Sequence, residues 1–134
     1  MKRILCTGIA VFLLLTACSG PKPERHYTHG IYEFTFLAER ISGDTISDWE
    51  FTYIYNGETV TSGYRILFSL DIFSFHSIYV VVTEKEFPNN TYSDTFPVAI
   101  CDGGSGKTEL TVTGMDGNSA TFAVTCSVER VGKQ

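Results

Sequence analysis

The chain is poor in basic residues, in histidine and in helical hydrophobic periodicity. Its 10 Lys and Arg are outnumbered by 15 Asp and Glu, which gives a net charge of −5. An acidic surface repels polyanions, so we expect no nucleic-acid partner and no electrostatic docking on anionic lipid. No window of a dozen residues repeats apolar side chains every 3.6 positions, which argues against amphipathic helices.

Catalytic and metal-binding motifs are also missing. The sequence has no G-x-S-x-G elbow, no H-E-x-x-H pair and no calcium-loop pattern. Three residues, Asp71, Ser74 and His76, could form a triad on paper, but alternation along a strand would scatter them over two faces and a turn. The other histidines, His26 and His29, lie in or beside a polar segment. We therefore predict no catalytic residue, no cofactor and no metal, and thus not an enzyme.

The first residues carry the clearest signal. Lys2 and Arg3 precede an apolar run over 4–15, which is too short to cross a bilayer and is typical of a signal peptide. The run ends in Leu15-Thr16-Ala17-Cys18, which resembles the lipobox of bacterial lipoproteins. That resemblance implies a signal peptide over 1–17 and a mature protein whose N-terminal Cys18 carries diacylglycerol and palmitate. The alternative is a plain secretory signal with a chance cysteine.

The same resemblance implies a location and an anchor. Two or three acyl chains hold a protein on a membrane durably, whereas one chain does so only marginally. Ser19 follows the cysteine where aspartate would retain a lipoprotein at the inner membrane, so in a Gram-negative host we expect the outer membrane. In a Gram-positive host the same signal implies the outer face of the plasma membrane. Residues 18–28, rich in proline and charge, are predicted to be the lipidated tether.

From 29 to 131 the apolar residues alternate with period two, which predicts an all-β domain of about seven strands. Asn56-Gly57 and Asp116-Gly117 are hairpin signals. Seven short antiparallel strands in about a hundred residues resemble an immunoglobulin-like β-sandwich. A small closed barrel of lipocalin type is the alternative, and residues 132–134 are predicted to be a tail.

Cysteine usage predicts one disulfide. Cys6 falls within the signal peptide, which leaves Cys101 and Cys126 as a pair in an oxidising compartment. Free thiols and a metal site are the alternatives. Counting from the Asp116-Gly117 turn places Lys107 opposite Cys126, so Cys101 reaches its partner only if the loop after it folds back or crosses between the sheets.

The stretch "CDGGSGKT" at 101–108 ends like a phosphate-binding loop. It lacks the first glycine of that motif, and the Thr-rich segment after it predicts a strand where the motif requires a helix. We therefore expect a strand-to-strand loop and no nucleotide. The acidic pair Glu84 and Glu86 is interpreted as a solvated strand edge.

Aromatic residues are abundant, with 10 Phe and 7 Tyr, and most must fill the core of so small a domain. Ile72, Phe73 and Phe75 instead fall in or near a turn, which suggests a partner-binding tip or an edge that leans on the membrane. The sequence thus predicts a lipid-anchored, non-catalytic interaction module with a protein partner in the envelope. The alternatives are a barrel-type carrier of small ligands and a small envelope inhibitor or exclusion lipoprotein.

Overall fold

The computed structural model describes residues 26–134. The expected signal peptide, Cys18 and most of the expected tether lie outside the described residues. Within 26–134 no helix is long and apolar enough to cross a membrane.

Alternation of apolar and polar side chains produces eight strands in this part of the chain. Tyr, Phe, Ile, Val and Thr fit the half-buried, pleated surface of a sheet, and Gly, Asn and Asp mark the turns between strands. The strands are β1 (His29–Gly43), β2 (Trp49–Tyr55), β3 (Glu58–Val60), β4 (Arg65–Ser69), β5 (Ser74–Glu84), β6 (Phe87–Ile100), β7 (Ser105–Thr113) and β8 (Ser119–Lys133).

The strands form two antiparallel sheets of four strands each. One sheet has the order β4-β1-β8-β7 and the other the order β3-β2-β5-β6. The sheets do not close into a barrel, so the predicted antiparallel β-sandwich is confirmed and the barrel alternative is not the fold. The structure has one strand more than the seven predicted. The short β3 pairs with β2 through the predicted turn at Asn56 and Gly57, both with positive φ.

The longest ladder joins the first and last strands. β1 and β8 pair from Gly30 opposite Lys133 to Gly43 opposite Ala120, with a bulge near each end. The residues predicted to be a tail, 132–134, therefore belong to this ladder. Gln134 completes it, since its N–H donates to His29 O at 2.8 Å and its carbonyl accepts from His29 N–H at 2.9 Å.

Aromatic side chains fill the space between the sheets, as the composition predicts. Phe36 of β1 stacks on Tyr53 of β2 with ring centroids 4.2 Å apart, and Phe51 meets Phe122 edge-on at 5.0 Å. Phe34, fully buried, packs against its neighbours from both sheets. Each large side chain removed from water contributes about 1.5–3 kcal/mol to folding, so these cross-sheet contacts hold the sandwich together.

The β7–β8 turn corrects the predicted register by one residue. The N–H of Gly114 donates to Asn118 O, and Gly117 takes a positive φ, which makes a loop of three residues rather than two. Gly106, not Lys107, therefore lies opposite Cys126, and Lys107 pairs with Thr125.

Two glycines of the "CDGGSGKT" stretch let the sheets touch at one corner. A Cβ atom on Gly104 would lie 2.1 Å from Ala99 O, and one on Gly106 would lie 2.1 Å from Pro97 O. The start of β7 thus crosses the end of β6 at a distance that excludes any side chain. These glycines are a packing requirement of the corner between β6 and β7.

This corner gives a stability prediction. Gly106→Ala places a methyl group against the backbone of β6, so we expect the free energy of unfolding to fall by about 1–3 kcal/mol. Urea denaturation measures the change, and Ser105→Ala, at the exposed neighbouring position, is the control. Equal stability of the two variants would show that the corner is loosely packed.

Candidate functional site

Exposed apolar side chains gather at both ends of the sandwich. We call the first group the apolar tip: Ile72, Phe73 and Phe75 are 56%, 65% and 61% exposed, at the turn between β4 and β5. The rings of Phe73 and Phe75 meet edge-on at 5.2 Å. The structure therefore places all three side chains of the expected tip on the surface, where they can make a contact.

The chain enters the domain beside the apolar tip. Leu70, next to the turn, donates its N–H to Thr28 O at 3.0 Å, and the N–H of Thr28 donates to Gln134 O. The same end holds Tyr27, whose ring lies under the Lys133 ammonium at 5.9 Å. We call this end of the sandwich the tether end.

The distal end lies across the length of β5, which runs from Ser74 at the tether end to Glu84. Eleven residues of strand at about 3.3 Å each separate the two ends by roughly 35 Å. Three segments meet there: the β1–β2 loop over 44–48, the β5–β6 turn over 85–86 and the β7–β8 turn over 114–118. The N–H of Lys85 donates to Asp48 O at 2.9 Å, which joins two of them.

Glu84 is the hub of the distal end, and its predicted role was wrong. The side chain is fully buried, not part of a solvated edge. Its carboxylate accepts hydrogen bonds from Asn90 Nδ2 at 2.8 Å and from the N–H of Met115 at 3.1 Å, and from the Ser47 side chain. Burial acts to raise the pKa of Glu84, but these three hydrogen bonds to the charged form outweigh it, so the pKa is lowered.

Asp116 fastens the β1–β2 loop to the β7–β8 turn. Its carboxylate accepts from the N–H of Asn118 at 2.9 Å within the turn, and from Ile46 N–H and Thr45 Oγ1 at 3.3 Å across to the loop. The hydrogen bond from Asn118 is the largest cause that lowers the pKa of Asp116. Both carboxylates therefore hold the distal end together in their charged forms.

A shallow cavity of about 380 Å³ opens between these segments. Its rim carries the exposed apolar side chains Ile46 (88% exposed), Phe87 and Met115 (62%). We call this surface the distal groove; it is lined by Ile46, Ser47, Asp48, Glu84, Glu86, Phe87, Met115 and Asp116. Its acidic lining residues and apolar rim define the chemistry of this surface. Within residues 26–134 no three His, Cys, Asp or Glu side chains group closely enough to hold a metal ion.

Sequence reasoning missed the distal groove although a signal was present. Ile46 and Met115 stand among Gly, Asp and Ser in segments that read as turns, the same anomaly that drew attention to residues 71–76. What the sequence did not reveal was that two such turns, far apart in the chain, meet at one end of the sandwich.

The two cysteines expected to pair are separate thiols in the structure. Cys126 is buried on the core face of β8, and burial raises its pKa to about 12. Cys101 is half-buried where β6 ends. The loop after it folds back onto β8, with Gly103 N–H donating to Val128 O at 3.0 Å, which is one of the two arrangements that the expected disulfide requires. The disulfide stays a prediction for the protein in an oxidising compartment.

Asp71, Ser74 and His76 do not form a catalytic triad, and His76 packs as a structural residue. Its Nδ1 lies 2.6 Å from Tyr55 Oη, and the two rings are stacked. Burial lowers the pKa of His76. Asp71 and Ser74 make no hydrogen bond to His76 within the described chain, so the three residues do not form a relay.

The expected strand is present, but it begins earlier than expected and includes the Gly-Lys-Thr segment, which was expected to belong to the loop. β7 begins at Ser105, and Thr108 donates its hydroxyl to the Asp94 carboxylate of β6. The helix N-terminus on which a phosphate loop depends is replaced here by a sheet corner. Comparison of the chain with protein-family models, with curated proteins and with solved structures gave no match.

The Glu84 hub predicts an acid-sensitive stability. Because its pKa lies below the ordinary 4.5, the ionised form stabilises the native state above about pH 4.5, and this stabilisation is lost as the pH falls through the lowered pKa. We expect Glu84→Gln to melt at a lower temperature than the wild type at pH 7. Its melting temperature should also fall less steeply between about pH 5 and pH 3.

Thermal melts by circular dichroism at several pH values measure both effects. Glu86→Gln, two positions along and exposed, is the matched control and should follow the wild type. A Glu84→Gln variant with the wild-type melting temperature and pH slope would contradict the role of this carboxylate.

Proposed function

We propose that the protein is a lipid-anchored lipoprotein of the bacterial envelope that binds a partner protein and catalyses no reaction. The anchor is Cys18 within the lipobox-like segment Leu15-Thr16-Ala17-Cys18. The observation that carries the binding role is the placement of the distal groove, with its exposed apolar rim, at the end opposite the point where the chain enters the domain. An anchored protein of this shape presents that end to its surroundings.

The chemistry of the groove favours one kind of partner. Ile46, Phe87 and Met115 offer apolar surface, and methionine adapts to differently shaped side chains. Asp48 and Glu86 are exposed beside them. A protein segment that combines an apolar side chain with flanking Lys or Arg matches both features, since opposite charge at a rim speeds association and selects among partners.

The structure supports this function over a carrier of small ligands. A carrier of barrel type needs a closed wall and an internal cavity, whereas the two sheets here are separate and their shared core is filled by aliphatic and aromatic side chains. An inhibitor or exclusion lipoprotein remains a special case of the proposal, in which the bound partner is an enzyme or an invading particle's protein.

Sorting follows from the anchor. With Ser19 after the lipidated cysteine, the proposed location is the outer membrane of a Gram-negative host or the outer face of a Gram-positive plasma membrane. The predicted disulfide between Cys101 and Cys126 suits such an oxidising location.

The anchor predicts a simple fractionation result. Cys18→Ala removes the thiol that accepts the lipid, and with it the acyl chains that hold the protein on the membrane. We expect wild-type protein in the membrane fraction and the variant either soluble or retained as an unprocessed precursor. Metabolic labelling with a palmitate analogue distinguishes the wild type from the variant, and the apparent mass of the variant shows whether residues 1–17 were removed. Labelling of Cys18→Ala equal to that of the wild type would contradict the proposal.

The binding role predicts contacts at the distal groove in intact cells. A photo-reactive amino acid at Met115 should cross-link to a discrete protein, whereas the same probe at Glu109, exposed on the outer face of β7, should not. Reversing the rim charge with Asp48→Lys and Glu86→Lys should lower the yield at Met115 by about tenfold.

Equal yields from the two probe positions would overturn the assignment of the groove. A strong Met115 product that is insensitive to charge reversal would leave the groove in place but reject the basic character of the partner.

A further inference from the structure

We infer that the apolar tip, Ile72, Phe73 and Phe75, lies in the interfacial layer of the membrane that holds the lipid anchor. The inference rests on the lipid anchor of the proposed function and adds to it a second, non-covalent contact with the bilayer. It gives this surface an occupant different from the protein partner proposed for the distal groove.

The length of chain between anchor and domain limits where the tip can be. Ten residues join Cys18 to Thr28, and a fully extended chain spans at most about 3.3–3.6 Å per residue, or roughly 35 Å. Since Thr28 O accepts the N–H of Leu70 at 3.0 Å, the chain ends its approach beside the turn that carries the tip.

The orientation of the domain decides which end faces the bilayer. The distal groove is about one β5 length from the point of entry, roughly 35 Å, so it reaches the bilayer only if the whole sandwich turns over on its tether. The tip needs no such rotation. Attachment at one end therefore makes the tip the part of the surface that meets the lipid most often.

The side chains at the tether end suit a lipid interface. Aromatic rings concentrate at the boundary between headgroups and acyl chains, and this end exposes Phe73, Phe75 and Tyr27. Lys133 lies over the Tyr27 ring, and a lysine stem can rest on apolar surface while its ammonium reaches the phosphates. Two exposed acids near the tip are Asp71, within the turn, and Asp102, in the loop after β6. The Asp102 carboxylate accepts the N–H of Arg130 at 3.0 Å.

The distribution of exposed charged side chains also distinguishes the tether end from the distal end. The distal end exposes Asp44, Asp48, Glu86 and Asp116 around its apolar side chains, and these carboxylates are repelled by an anionic surface. Apolar exposure alone does not distinguish the ends, but apolar exposure combined with the point of entry and with fewer acids does.

Tryptophan fluorescence of the mature lipidated protein tests the inference. The chain has one tryptophan, Trp49, so Trp49→Phe with Phe73→Trp gives a single reporter at the tip. Trp49→Phe with Ile46→Trp gives the comparison reporter at the distal end, at another exposed apolar position. Both proteins are reconstituted in phosphatidylcholine vesicles with and without bromine on the acyl chains, and circular dichroism checks that they fold.

We expect the tip reporter to shift to shorter emission wavelength by about 10 nm and to lose about half of its intensity on brominated lipid, as a ring at acyl-chain depth does. The distal reporter should keep the emission it has in detergent-free buffer. Flotation of the vesicles reports separately whether the protein is anchored.

The outcomes are distinguishable. Protein that floats with the vesicles while its tip reporter is quenched no more than the distal one retains the anchor and overturns the inference. Protein that does not float overturns both the anchor and the inference. A photo-reactive amino acid at position 73 that cross-links to a protein in intact cells, together with no quenching of the tip reporter on brominated lipid, would show that the tip binds a protein and not the bilayer.

Discussion

The pairing of the first strand with the last is the interaction on which the rest of the structure depends. β1 and β8 run side by side from Gly30–Lys133 to Gly43–Ala120. The first and the last strand of the domain therefore hold each other in place. The ladder joins residues about a hundred positions apart, and such a contact forms only after much of the chain has been ordered. It also places the N-terminal entry beside the C-terminus and fixes which end of the sandwich an N-terminal anchor can reach.

The contacts that hold the two sheets together differ between the corner of β6 and β7 and the distal end. At the corner between β6 and β7 the closure is steric, since Gly104 and Gly106 remove the side chains that would keep the backbones apart. At the distal end it is polar, since Glu84 and Asp116 gather backbone and side-chain donors from three segments. A buried carboxylate tolerates such a site only when donors surround it. The segments of the distal groove are therefore joined by hydrogen bonds to charged carboxylates.

Much of the sandwich could be predicted because it is local. Alternation along the chain indicated an all-β domain, since side-chain direction in a strand has period two, and Asn56-Gly57 marked its turn. The third residue in the β7–β8 loop was missed, which moved the pairing of Cys126 by one position. Glu84 was misread because alternation places it inward only if the strand continues to that residue, and a charged side chain at a strand end suggests solvent. Its donors come from Asn90 and Met115, and no local pattern announces that meeting.

The apolar tip and the distal groove lie at opposite ends of the sandwich, and this difference in position is the reason for proposing different partners for them. The sequence pattern drew attention only to Ile72, Phe73 and Phe75, as a partner-binding tip or an edge that leans on the membrane, and it did not reveal the distal groove. The bond between Thr28 and Leu70 separates them, because it fastens the entering chain to one of the two. Under the proposed lipid anchor, a surface held within a short tether of a bilayer meets lipid at high effective concentration, and the opposite end is left for a protein partner. In that proposal the same chemical feature has two uses, which are set by its position relative to one covalent attachment.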